Sequence, residues 1–151
     1  MCNLAQEFAN KLGMQNMYSV WSQKTGNVMY VNLAPIKNQV IHYSDLIKVK
    51  IDLSLGLVVG WEGTNYATNH KERTFNSAIG ILDAQEKVNK ILTIKERNLT
   101  IIPDKYVGEI NAYEFICTWK NYTYYIYIDS VTGKEVNILR VINTTNGSLL
   151  M

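Results

Sequence analysis

The stretches IDLSLGLVV at residues 51–59 and YIYIDSVTGKEV at residues 125–136 are written to one plan, with Asp52 and Gly56 recurring as Asp129 and Gly133, 77 residues on. Upstream, AQEFANK at residues 5–11 recurs as AQEKVNK at 84–90, with five of seven residues identical at an offset of 79. Downstream, Ala67-Thr68-Asn69 answers Thr144-Thr145-Asn146, again at 77. Three matches in one order at nearly one spacing mark an internal duplication, and a duplicated chain folds as units of one design. The expected organisation is a first, divergent repeat at residues 1–69, a polar linker at 70–82 and a second repeat at 83–151.

Each repeat reads as a short helix followed by antiparallel strands. In the second, Asp83 and Glu86 have capping-box spacing, and Ala84, Val88, Ile91 and Leu92 recur at helical intervals. In the first, Leu4, Phe8 and Leu12 share a face, Asn3 is placed as the cap, and Gly13 supplies the stop. Alternating runs then predict strands at 18–22, 28–33, 46–52 and 57–62, and again at 112–118, 122–129 and 134–142. Pro35, in a longer connection at 34–45, suits a loop or an edge. Lys120-Asn121 has the length of a tight hairpin loop. In the Asp-x-x-x-Gly turns the carboxylate caps the turn, and Gly takes the positive φ that closes it. Tyr125 and Tyr127 alternate with Tyr124, Ile126 and Ile128, so the two faces of that strand differ in character. The fold class is α+β in two tandem units, each a short helix packed on an antiparallel sheet.

The chain has 151 residues, 47% of them apolar and 19% charged, which is the balance of a globular protein. Fifteen basic against 13 acidic residues give no electrostatic case for a nucleic acid or an anionic membrane as partner. No apolar run approaches the ~20 residues of a membrane span, so membrane contact by this region itself is not expected. Two cysteines, Cys2 and Cys117, make no disulfide framework, and Cys117, inside a strand, reads as a small buried side chain.

Chemistry finds little to work with. His42 and His70 fall in no metal-ligand spacing, so no metal and no cofactor is expected. A nucleophile pair of Cys117 with His42 has no local signature. Asp52 and Asp129 could be offered as paired carboxylates for acid–base work, but their equivalence in the repeat assigns them to turns. Gly56, Gly60 and Gly63 straddle a strand and so lack the arrangement of a phosphate loop. No catalytic residue is assigned.

One stretch differs in kind. WEGTNYATNHKER, at residues 61–73, mixes aromatic and charged side chains with almost nothing aliphatic, as binding patches do. It nominates Trp61, Glu62, Tyr66, His70 and Arg73 as partner-binding residues. The alternative is a strand end and a solvated linker, with Trp61 and Tyr66 tucked between the repeats.

A short helix and a sheet carrying Tyr125, Tyr127, Asp129 and Gly133, followed by Glu135 and Val136, resemble the PepSY repeat. In the first unit Asp52 and Gly56 match, and Lys48 and Lys50 stand in place of the tyrosines. Tandem copies joined by GLVVGWEGTNYATNHKER resemble the C-terminal region of YpeB-type spore germination proteins. That resemblance implies a noncatalytic module which binds, stabilises or restrains the cortex-lytic transglycosylase that degrades spore peptidoglycan. It also implies a location in the bacterial spore, outside the inner membrane and facing the cortex. The family's membrane anchor and helical region precede such repeats, so this chain is expected to be a soluble fragment. A small-ligand or peptidoglycan-fragment binder is the second reading, because a helix on a curved sheet can enclose a pocket and aromatic rings stack on sugars. A hydrolase using Cys117 is the third. Exposed edge strands leave a homodimer open as well.

Overall fold

The computed structural model describes residues 1–144 and 147–150, the side chains from residue 142 onward excepted. The chain is a mixed α+β protein that divides into two compact units. The first comprises residues 1–38, 42–71 and 143–149, and the second residues 39–41, 72–142 and 150–151.

In the first unit, α1 (Cys2–Lys11) precedes β1 (Met17–Thr25) and β2 (Val28–Lys37). After the short β3 (Val40–His42), whose residues 40–41 belong to the second unit, and a 3-10 turn at Tyr43–Asp45 come β4 (Ile47–Asp52), β5 (Leu57–Glu62) and α2 (Thr64–Asn69). The strands β1, β2, β4 and β5 lie side by side, all antiparallel. Along β4 the period of two is strict. Ile47, Val49 and Ile51 are buried, while Lys48, Lys50 and Asp52 point the other way. The buried face meets α1 through Ala5 and Ala9, with Leu4 and Phe8 on the flanks.

The helix is therefore rotated from the face that the sequence predicts. Two alanines one turn apart let its backbone approach the sheet closely, and Leu12 is left exposed. Nor does Asn3 cap it, since the helix starts at Cys2. Gly13 does end it, at φ +83°. Pro35 lies within β2, opposite Met17 of β1 and past the last residue paired with β4, and so is not in a loop.

The second unit holds α3 (Ile81–Gln85) and an antiparallel meander of β6 (Thr93–Asp104), β7 (Gly108–Trp119), β8 (Tyr122–Asp129) and β9 (Glu135–Thr144). β3 runs beside β6, and a last strand, β10, covers Gly147–Leu150. Phe115, Cys117, Ile126, Ile128, Ala84 and Val88 form the core, with Tyr124 against it, and Tyr125 and Tyr127 lie on the opposite face. Lys120, at φ +53°, turns the hairpin between Trp119 and Tyr122.

Three expectations change here. β6 was not foreseen, because Lys95-Glu96-Arg97 and Pro103 hide its alternation; Pro103 sits one residue before its end. Asp83 lies inside α3, whose cap position is Gly80, and Ile91 is exposed. Residues 70–82 do not run as a free polar linker: Phe75, Ile79 and Ile81 pack on the second core. Ala78 and Ile79 donate backbone N–H groups to the Ser130 carbonyl, and the Tyr113 hydroxyl donates to the Ile79 carbonyl. The repeat match at Thr145-Asn146 lies outside the described residues.

Candidate interaction surface

The strand β5 ends in Trp61 and Glu62, and the chain turns through Gly63 straight into α2. The Trp61 ring folds back over Gly63 so closely that a Cβ there would fall inside the indole. The indole also meets Phe8 on α1 edge to face, with ring centroids 6.3 Å apart. Trp61 is thus fixed in place and still 42% exposed. Upstream on the same strand, Leu57 and Val59 are exposed too, and β5 has a strand partner on one side only among the described residues.

Glu62, opposite Lys48, points to the other face of the sheet, where the Lys50 Nζ lies 2.8 Å from its carboxylate and that of Lys48 lies 4.0 Å away. The Lys50 hydrogen bond holds the Glu62 carboxyl below the usual carboxylate range. Tyr66 on α2 and His70 at the C-terminal cap of that helix stack nearly parallel at 4.3 Å. Beneath them His70 Nδ1 donates to Oδ2 of the fully buried Asp45 at 2.7 Å, and Asn69 donates to the Ser44 carbonyl. These two bonds dock α2 on the 3-10 turn.

Trp61, Glu62, Tyr66 and His70 all belong to the first unit. Arg73 belongs to the second, with a side chain only 4% exposed and a guanidinium that grips Glu109 twice, through Nε and Nη2, at 2.8–3.0 Å. The patch read from the sequence thus divides into exposed groups, Trp61 and Glu62, and anchoring ones, His70 and Arg73. Asp45 and Glu109, the acids that hold the anchors, were not foreseen, and nothing near either partner in the sequence signals the pairing.

The turns are built alike. Asp52 Oδ1 accepts from the N–H groups of Ser54 (2.8 Å) and Leu55 (3.0 Å), and Gly56, at φ +65°, donates to the Asp52 carbonyl at 2.9 Å. Asp129 does the same with Val131 (2.8 Å) and Thr132 (3.0 Å), closed by Gly133 at φ +71°. A third copy, Asp104 with Tyr106, Val107 and Gly108, joins β6 to β7. It has the same Asp-x-x-x-Gly spacing, the signal that could have found it.

Asp52 and Asp129 therefore each close a turn in a different unit. Cys117 is buried in the second core, and that burial pushes its thiol up, away from the thiolate that a nucleophile needs. Among the described residues, no group of three His, Cys, Asp or Glu is placed to hold a metal, and no helix is long and apolar enough to cross a membrane.

Two units in tandem, each a helix on an antiparallel sheet whose strands meet at an Asp-x-x-x-Gly turn, define a PepSY-type repeat protein. A family model described as YpeB sporulation, PepSY1 and PepSY2 domains, matches residues 1–76, and the chain belongs to that family. It is 30% identical over 137 residues to the sporulation protein YpeB of Halalkalibacterium halodurans and 32% identical over 121 residues to that of Bacillus subtilis. These alignments cover 90% and 80% of this chain but 31% and 26% of the relatives, so the chain spans less than a third of their length. The Bacillus megaterium YpeB C-terminal domain superposes with a TM-score of 0.86 at 27% identity, covering 93% of this chain and 63% of that one.

Proposed function

We propose that this chain is a noncatalytic interaction module of a spore germination protein, which docks on the cortex-lytic transglycosylase and holds or restrains it on the cortex side of the spore's inner membrane. The observation that carries this reading is Trp61. A large aromatic ring on an edge strand is fixed by Phe8 and Gly63 and left partly open to solvent. A pre-ordered aromatic is what a binding hot spot requires, because little side-chain entropy remains to be lost on docking. Membership of a sporulation family supports the biological setting. The same edge could instead pair with a second copy of the chain, an outcome that sedimentation separates from docking on the enzyme.

Titration calorimetry between this chain and the purified cortex-lytic enzyme of the same organism tests the reading. Binding at micromolar Kd or tighter, about −8 kcal/mol, is expected, together with a marked loss on Trp61→Ala. Absence of any complex overturns it.

A second reading, a peptidoglycan-fragment or other small-ligand site, is favoured by a cleft of about 630 Å³ between α1 and the start of β1. Gln6, Asn10, Gln15, Asn16 and Tyr18 line it, and side-chain amides suit the paired hydroxyl and acetamido groups of sugars. Soluble peptidoglycan fragments would raise the Tm if they bind there; no shift at saturation removes this reading.

A further inference from the structure

The helix of the second unit is short and leaves part of its face of the sheet open, near the β7–β8 hairpin. On that open part Trp119 faces Tyr122 across the hairpin, and Tyr124 faces Arg140 across β8 and β9. Two cations lie on the rings: Lys120 Nζ is 4.5 Å from the centre of the Trp119 ring, and the Arg140 guanidinium is 5.4 Å from that of Tyr122. Tyr122 also meets Tyr124 edge to face at 6.4 Å. Tyr122 is 44% exposed, and Ile138, two residues before Arg140 on the same face, is exposed as well.

Among the described residues, neither Lys120 nor Arg140 has a carboxylate within ion-pair distance, and each lies on an aromatic ring. The fold does not demand this cluster, because the first repeat has Asp45 and Ile47 at the positions of Tyr122 and Tyr124.

We infer that this surface is a second docking site, independent of the one around Trp61, and that it takes an acidic, aromatic-tolerant segment of a partner protein. Each ring holds a cation in place by cation–π attraction, so both positive heads are presented in fixed positions. A carboxylate arriving at either head completes an ion pair at little further cost in side-chain order, while Tyr122, Tyr124 and Ile138 supply apolar contact around it. Trp, Tyr and Arg together are the composition of an interface hot spot. Charge complementarity selects an acidic partner over a neutral or basic one.

The test uses the whole chain and a poly-L-glutamate of about 20 residues as the acidic probe, with polygalacturonate as a polyanion of sugar acids. Poly-L-glutamate is expected to bind and to shift amide resonances at residues 119–124 and 138–140 of the unaltered protein. The pair Lys120→Gln with Arg140→Gln should weaken it at least tenfold, and Tyr122→Ala should weaken it too. Lys24→Gln with Lys134→Gln, which removes the same charge elsewhere, should change affinity less than twofold. Equal losses in the two charge pairs, shifts confined to other residues, or no binding would overturn the proposal. So would polygalacturonate binding as tightly at the same residues, which would make the surface a reader of acidic glycans.

Discussion

Tyr127 donates its phenol proton to Oε2 of Glu114, 2.7 Å away on the neighbouring strand, and that carboxylate is only 1% exposed. Asn98, on the next strand over, donates to Oε1 at 2.9 Å, so a polar row crosses β6, β7 and β8. The first unit has a counterpart. Val28 stands opposite Asp52 as Ala112 stands opposite Asp129, so the pair Tyr30 and Lys50 occupies the places of Glu114 and Tyr127. There the phenol ring is on the other strand and meets an ammonium at 5.9 Å, while Lys50 pairs with Glu62. This is the structural account of Lys50, one of the two lysines that replace tyrosines in the first repeat.

Losing the Tyr127 hydroxyl deprives a buried carboxylate of a charge-assisted bond. Tyr127→Phe should lower the unfolding free energy by about 2 kcal/mol, read from urea denaturation. Lys50→Met, on an exposed pair, should leave the urea midpoint nearly where it was.

The glycines of the turns should not behave alike. At Gly56 a Cβ would meet open space and only the positive φ is strained, so Gly56→Ala should cost about 1 kcal/mol. At Gly133 the Cβ would also sit 3.3 Å from the Ile79 side chain, and Gly133→Ala should cost more. Equal costs would show that Ile79 yields freely.

Acid should undo the turns from their carboxylates. The Ser54 hydroxyl, then the Leu55 N–H, holds Asp52 below its ordinary range, and the N–H groups of Val107 and Tyr106 do so for Asp104. A depressed folded-state pKa stabilises above the unfolded value, about 3.9, and that stability is lost as pH falls through the folded value. The Tm advantage of the native chain over Asp52→Asn with Asp104→Asn should therefore be present at neutral pH and shrink as pH falls below that unfolded value. A gap unchanged at low pH would mean that ionisation of these groups is not its source.

Gly63 sets the pose of Trp61, since any side chain there must push the indole aside. Gly63→Ala should shift the Trp61 emission and weaken docking on the cortex-lytic enzyme while the chain stays folded. Retained affinity would place the contact elsewhere.

Arg73 has a structural role that its sequence neighbourhood hides. Arg73→Ala takes the guanidinium from a carboxylate in a largely buried pair and should cost about 3 kcal/mol. Arg73→Met with Glu109→Leu should recover most of that loss, as equilibrium unfolding would show.

What the sequence made legible was local. β5 and β8 run over the predicted residues 57–62 and 122–129, because each alternates cleanly and starts or stops at an Asp-x-x-x-Gly turn. β6 escaped because three consecutive charged residues mask its period of two. Helix faces and caps were misplaced by one to three residues, the face of α1 because Ala5 and Ala9 carry little hydrophobic signal although they are the residues that touch the sheet. Pairings escaped most fully. His70 meets Asp45 from 25 residues away and Arg73 meets Glu109 from 36, so each read as a surface charge until the fold supplied its partner.

The two free thiols differ as much as two thiols can. Cys2 is exposed on α1, and Cys117 is sealed between Phe115 and Tyr124 in the second core. A thiol reagent should therefore consume one equivalent at once and a second only as fast as the second unit opens. The protein carries its own stopwatch, and its slow hand times how long one repeat stays closed, with no label to attach and no residue to change.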